Sequence, residues 1–175
     1  MTYPEKYINY LVHFHGDRDY FECHEELEEL WKEDLKEHRK QYLVGLIQIA
    51  VALYHQRRGN FPGALRMMNN AVSIVQKEKE NMTSLGFEWD KLVILLEQRL
   101  DEIKNKQPYT SINLPLQNPT LISLCKQRCK ENGFVWGSNS ELSNKNLIHK
   151  HSLRDRSEVI TERERQMELK KRRDI

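Results

Sequence analysis

The sequence of 175 residues has few cysteines, glycines and prolines. Its three cysteines are too few for a disulfide framework, and no secretory signal pattern precedes them, so we expect reduced thiols and a cytoplasmic protein. Seven glycines and five prolines exclude low-complexity and collagen-like chains. No apolar run approaches the roughly 18–20 residues of a membrane-spanning helix, so we expect no membrane insertion.

Two common catalytic signatures are also missing, a glycine-rich phosphate loop and a nucleophile elbow. Apolar residues make up 38% of the chain and charged residues 31%, against roughly 45–50% and about 25% in typical globular domains. This balance predicts a compact part together with a solvated part.

The charges are distributed unevenly along the chain. Residues 22–37 contain eight acidic and two basic side chains, whereas ten basic and six acidic side chains follow from Lys145 onward. We therefore expect the basic tail to meet an acidic surface, either the second helix or a protein partner. Nucleic acid is a less favoured partner, because no aromatic residue follows Trp136 for bases to stack on.

Hydrophobic periodicity predicts an all-α fold of about five helices arranged as helical hairpins. Asp17 or Asp19 is expected to cap the second helix, and Asn60 the fourth. The five predicted helices span residues 4–14, 20–38, 41–57, 61–82 and 88–105, with a further short helix at 120–131.

Pro108, Pro115 and Pro119 indicate a connector after the fifth helix. We therefore predict a helical core over residues 1–107 that folds without the rest. Residues 108–175 are predicted to form the connector and a basic, partly mobile extension, in which 156–175 are mobile or form a lone projecting helix.

One polar constellation interrupts the apolar helix faces. His24 and Glu28 are one turn apart on the second helix, and Glu25 and Trp31 lie on the same helix. Gln48 and His55 are two turns apart on the third helix, which is apolar almost all round. These residues are interpreted as core polar groups satisfied by hydrogen bonds, as a pocket without metal, or as a metal site.

The metal interpretation starts from the His-Glu-x-x-His motif of metal hydrolases, in which Glu28 here takes the place of the second histidine. His24, Glu28 and His55 are then ligands of a divalent ion such as zinc, iron or manganese. Glu25 acts as the base on a metal-bound water. Without this alternative, no cofactor is predicted.

A second set of possible zinc ligands is Cys125, Cys129, His149 and His151. The one-residue gap between the histidines is atypical of zinc sites. Two cysteines on an amphipathic helix are the simpler interpretation.

An ordered set of motifs within about residues 8–72 resembles the small all-helical family known as domain of unknown function 309. It comprises Phe14-His15-Gly16-Asp17, the segment from Tyr20 to Trp31, the segment from Gly45 to Ala50, Gly59-Asn60 and Gly63-Ala64. Arg18-Asp19 lengthens the first loop, and Cys23 stands where alanine is common. The resemblance implies an orthogonal helical array without an established activity, and it draws attention to His24, Glu25, Glu28, Trp31, Gln48, Asn60 and Gly63.

The function favoured by these observations is a binding or scaffold module with a His/Glu/Gln pocket. Its candidate ligand-binding residues are His24, Glu25, Glu28, Trp31, Gln48 and His55. The metal-dependent hydrolase that uses His24, Glu28 and His55 is the alternative.

Overall fold

A computed structural model of the chain describes residues 2–150 and, beyond them, Arg165, Met167 and Glu168. Residues 2–150 form eight α-helices, which confirms the all-α prediction. The helices are α1 (Glu5–His15), α2 (Tyr20–Lys32), α3 (Gln41–Arg57), α4 (Phe61–Lys77), α5 (Lys79–Ser84), α6 (Trp89–Lys104), α7 (Pro119–Glu131) and α8 (Lys145–Ile148). Apart from the three residues named, the predicted mobile segment 156–175 lies outside the described residues. None of the helices in the described part is long and apolar enough to cross a bilayer.

Helix α2 is shorter than predicted. It ends at Lys32, and a 3-10 turn follows at Lys36–His38. Leu35, which lies within the predicted helix 20–38 at a spacing that continues its apolar face, is 71% exposed. A helix continued to His38 would bury no apolar side chain there, so nothing offsets the entropy of ordering it. Likewise, α4 ends at Lys77 and a separate helix α5 begins at Lys79.

The predicted helix caps are present. A side-chain oxygen of Asp19 accepts a hydrogen bond from the Glu22 amide at 3.1 Å, and Asn60 accepts one from the Gly63 amide at 3.2 Å. Each cap satisfies a backbone donor that has no partner within its helix.

Helix α3 is central and packs against α2 on one side and α4 on the other. Leu46, Ile49 and Leu53 on this helix are fully buried. Gly45 sets the approach of α3 to α4, because a Cβ atom there would lie 2.8 Å from Cγ2 of Ile74. This interior position agrees with a sequence that is apolar almost all round the helix.

The core does not end at residue 107. The buried apolar set continues through the proline-rich connector and α7, and it includes Tyr109, Leu114, Leu121, Cys125 and Cys129. Helix α7 packs on α1. The connector is thus a packed part of the fold.

His15, at the end of α1, joins the first helix to this connector. Its Nδ1 donates to the Leu11 carbonyl at 2.8 Å, and its Nε2 accepts from the Leu114 amide at 2.9 Å. The ring stacks on Trp136 with centroids 4.2 Å apart. Both ring nitrogens are therefore used by the neutral imidazole.

Arg18, three residues later, makes the second junction. It is 1% exposed and has a φ of 59°, an unusual conformation for a residue other than glycine. Its guanidinium donates to the Ser138 carbonyl at 2.8 Å, to Oδ1 of Asn113 at 2.8 Å and to the Ile112 carbonyl. A buried charge and a strained backbone are thus held by three acceptors from beyond residue 107.

These contacts affect the prediction that residues 1–107 fold without the rest of the chain. The stability of that fragment is still to be measured. Without the residues beyond 107, His15 loses a hydrogen-bond donor and Arg18 loses three acceptors. Water can replace these partners only if the buried site opens. Each such loss costs about 1–3 kcal/mol, and 1 kcal/mol corresponds to about 4–8 °C in a domain near 100 residues, such as the fragment, and to about 2–4 °C in one of 150–250 residues. We now expect the 1–107 fragment to melt at least about 10 °C below the full chain in thermal unfolding. A 1–150 fragment is the matched control and should melt close to the full chain, whereas equal melting of all three would contradict this expectation.

His15 also predicts a pH dependence of stability. Burial, assisted by the charge of Arg18 and opposed by the Leu11 hydrogen bond, lowers the pKa of His15 to about 3. In the unfolded chain the pKa is about 6.5, so between these values the unfolded state binds the extra proton. Stability should therefore fall as pH drops below about 6.5, by up to about 1.4 kcal/mol per pH unit.

The measurement is urea unfolding between pH 4 and 7, in the original chain and in His15→Gln. The difference between the two slopes isolates His15 from groups that titrate in the same range, His13 among them. Identical slopes would contradict the prediction. If His15→Gln does not fold, the NMR titration of the His15 ring in the original chain decides, because it should show no protonation above pH 4.5.

Candidate functional site

His24 and Glu28 pair on the surface of α2, as their spacing predicts. His24 Nε2 lies 2.7 Å from Oε2 of Glu28, while Oε1 of Glu28 lies 2.7 Å from the Lys32 ammonium. The Lys32 hydrogen bond, opposed by partial burial and assisted by the charge of His24, lowers the pKa of Glu28. Glu28 is thus an ionised carboxylate held between the His24 ring and the Lys32 ammonium.

Glu25 faces the other ring nitrogen of His24. Its Oε1 lies 3.5 Å from His24 Nδ1, and its side chain is 41% exposed. Both nitrogens of His24 therefore face carboxylates of its own helix, and the faces and carbon edges of the ring remain for other contacts.

His55, near the end of α3, meets His24 across one cavity. Nδ1 of His55 lies 3.3 Å from Nδ2 of Asn60, the residue that caps α4. The cavity between α2 and α3 has a volume of about 210 Å³. Its lining consists of five aromatic or imidazole rings, one valine and one arginine: Tyr20, Phe21, His24, Val51, Tyr54, His55 and Arg58.

Trp31 and Gln48 are not among the residues that line this cavity. The Arg39 guanidinium lies over the Trp31 ring, 4.5 Å from its centroid. The Gln48 side chain is on α3, and its Oε1 is buried without a hydrogen-bond partner among the described residues. The structure thus brings together His24 and His55 from the predicted set, with Glu25 and Glu28 behind His24.

The predicted metal ligands do not converge. A group whose ligand atoms all lie within 4.8 Å of one another occurs in the described part of the chain at His13, Glu22 and Glu26. His24, Glu28 and His55 do not meet this spacing. Binding of a divalent ion by these three residues stays a prediction, and it requires His24 and Glu28 to leave their present contacts.

Cys125 and Cys129, of the second predicted zinc set, lie buried on α7. Burial raises the pKa of Cys125 to about 12 and that of Cys129 to about 11. Both thiols are therefore protonated at neutral pH, whereas zinc binds the thiolate. His151 lies outside the described residues.

Sequence reasoning missed the residues at the junction of α1 and α2, above all His13, Arg18 and Glu22. A signal was present, since Lys6, Asn9 and His13 share one face of α1 and Glu22, Glu26 and Glu29 share one face of α2. That the two faces meet depends on the packing of α1 against α2, which periodicity alone does not give.

Comparisons with known proteins agree with this architecture. A family model described as Domain of unknown function (DUF309) matches residues 7–67. A relative described as "Uncharacterized protein YpuF", from Bacillus subtilis (strain 168), is 48% identical over 170 residues. The match covers 97% of this chain and 98% of that protein. No solved structure matches the chain significantly.

The position of His55 yields a testable prediction at Gly63. A Cβ atom there would lie 2.6 Å from Nδ2 of Asn60 and 3.2 Å from Cδ2 of His55. Gly63→Ala should therefore disturb both the cap and His55, although alanine normally favours a helix by about 1 kcal/mol over glycine. We expect a destabilisation of about 1 kcal/mol, the usual cost of a lost cap, together with shifted NMR signals of the His55 ring.

Ser73→Ala, at an exposed position of the same helix, is the matched control. It should stabilise by about 0.5 kcal/mol or less and leave the His55 signals unchanged. Stabilisation by Gly63→Ala in urea unfolding would show that the cap and His55 are not held as described.

Proposed function

We propose a binding function for this chain, which belongs to the family described as Domain of unknown function (DUF309). The α2–α3 cavity holds one apolar side chain, aromatic or aliphatic, of a protein partner in the cytoplasm. The observation that carries the proposal is the meeting of His24 and His55 in one small cavity walled by aromatic rings.

The size of the cavity supports an anchoring side chain. Pockets that enclose a whole small molecule usually measure about 300–1,000 Å³, and this one measures about 210 Å³. Protein interfaces depend on a few anchor residues that fill such pockets on the partner.

The lining supports an apolar anchor. Tyr20, Phe21 and Tyr54 offer ring surfaces, and Val51 adds an aliphatic wall. Tyrosine and arginine are the residue types enriched where interfaces are tightest. Arg58, which lies over Tyr54 at 5.6 Å from the ring centroid, supplies a cationic donor next to the cavity. An apolar side chain thus finds rings inside and a hydrogen-bond donor beside them.

The contacts of the His24 ring nitrogens support a binding function rather than hydrolysis. The hydrolase alternative needs a ring nitrogen of His24 on a metal, yet both nitrogens face carboxylates at 2.7 and 3.5 Å. Those contacts fix the ring as one wall of the cavity. Glu25 and Glu28 are then positioning residues for His24.

The test uses amino-acid derivatives as anchor mimics. The N-acetyl amides of phenylalanine, leucine and aspartate are titrated into the ¹⁵N-labelled full chain, and amide chemical shifts are followed. We expect the phenylalanine and leucine derivatives to shift amides within residues 20–24 and 51–58, and the aspartate derivative to leave them unchanged. Val51→Trp fills the cavity and should abolish the shifts.

Ile94→Trp is the matched control, because Ile94 is 64% exposed on α6, away from the cavity. It should bind the derivatives as the original chain does. Thermal unfolding verifies that both variants are folded, and Phe21→Ser, which removes one wall, replaces Val51→Trp if that variant is unstable. Shifts that persist in the cavity variants, or that lie elsewhere on the chain, would refute the proposal.

A further inference from the structure

A second group of polar side chains lies on the opposite side of α2, where it packs against α1. His13 comes from α1, and Glu22 and Glu26 come from successive turns of α2. All three are partly buried, and one ligand atom of each lies within 4.8 Å of the others. We propose that His13, Glu22 and Glu26 form a binding site for a divalent transition-metal ion of the zinc and manganese class.

The group lies at one end of a row of polar contacts between α1 and α2, which we call the polar seam. The Lys6 ammonium lies 2.9 Å from Glu33 and 3.6 Å from Glu29, and Asn9 donates to Glu26 at 3.4 Å. Along most of the seam, α1 thus supplies donors to the carboxylates that face it. At His13 it supplies an imidazole, which is itself a metal ligand in its neutral form.

Asp17 orients that imidazole. Nδ1 of His13 lies 3.1 and 3.3 Å from the two carboxylate oxygens of Asp17. A carboxylate that accepts from one ring nitrogen leaves the other as the ligand, and this arrangement recurs behind metal-bound histidines. Nε2 of His13 is therefore the nitrogen assigned to the ion.

The surroundings attract a cation. Asp17, Asp19 and Glu22 place negative charge around His13. A cationic side chain already occupies part of this negative region, since the Lys150 ammonium lies 2.7 Å from Asp19 and 2.9 Å from Glu22. Lys150 and the ion would compete for Glu22.

The site also has access to solvent. A depression of about 510 Å³ beside it is lined in part by Asp17, Asp19, Phe134 and Lys150. The Phe134 ring lies 6.0 Å from the His13 ring and closes one side. Three protein ligands beside an open depression leave a coordination position for water.

The donor set decides the class of ion. One imidazole and two carboxylates suit zinc or manganese, whereas magnesium and calcium take oxygen ligands. At metal–ligand distances near 2.0–2.2 Å, tetrahedral ligand atoms stand about 3.4 Å apart. Binding of the ion requires the two glutamate side chains to rotate to that spacing.

The experiment is Zn²⁺ titration by calorimetry on the tag-free full chain, with equilibrium dialysis and elemental analysis for stoichiometry. We expect one ion per chain. His13→Gln and Glu26→Gln should each weaken binding at least about tenfold, and Asp17→Asn about 10–100-fold through loss of the orienting contact. Thermal unfolding without metal verifies that each variant is folded, and Glu26→Gln decides if His13→Gln is not.

Glu29→Gln is the matched control, one turn along the same seam, and His24→Ala removes the other candidate histidine. Both should bind Zn²⁺ as the original chain does. Lys150→Met should strengthen binding several-fold, because it frees Glu22; a purely structural seam would not respond in this way.

Three results would overturn the site. The first is no saturable binding, and the second is Zn²⁺ affinity unchanged in Glu26→Gln. The third is evidence that the ion binds elsewhere. Such evidence would be the loss of Zn²⁺ binding in His24→Ala, or a thiolate charge-transfer band when Co²⁺ replaces Zn²⁺. These measurements use Zn²⁺ and not the amino-acid derivatives of the cavity test, so the binding function is tested separately.

Discussion

The buried guanidinium of Arg18 is the contact on which the arrangement of this fold depends. It sits in the loop between α1 and α2 and donates to groups of residues 112, 113 and 138. A buried charge without acceptors is costly, so the loop and the connector stabilise each other. His15, with its neutral ring between Leu11 and Leu114, fixes the same junction three residues earlier.

This junction positions α2, and α2 carries both candidate sites. On one side Tyr20, Phe21 and His24 face α3 and form the cavity. On the other side Glu22 and Glu26 face His13 of α1. Asp19, the cap of α2, is also a partner of Lys150. A shift at the start of α2 would therefore alter the cap, the cavity and the proposed metal site at once.

Local patterns in the sequence predicted much of the fold. The apolar run of α3, the caps at Asp19 and Asn60 and the limits of α1 and α6 all follow from neighbouring residues. The pairing of His24 with Glu28 follows from helical spacing as well. The predicted end of α2 was wrong, because Leu35 has the spacing of the apolar helix face but no partner to pack against.

What the sequence did not reveal depends on contacts between distant segments. Arg18 meets Ser138 across 120 positions and His15 meets Leu114 across 99, and no periodicity encodes such pairs. The prolines indicated a connector after the fifth helix, yet they carried no information that this segment packs on the core. In the same way, Trp31 and Gln48 share helices with the cavity residues, but only the packing shows that they lie outside its lining.

The central claim is that the α1–α2 junction and the connector form one cooperative unit with α2. Native-state hydrogen exchange of the full chain tests it most directly, through the amides of Leu114 and Gly137, which bond to His15, and of Cys23 and Leu27 in α2. The account predicts that all four open with the same free energy and the same denaturant dependence. Opening of Leu114 and Gly137 at a clearly lower free energy, with Cys23 and Leu27 still protected, would contradict it.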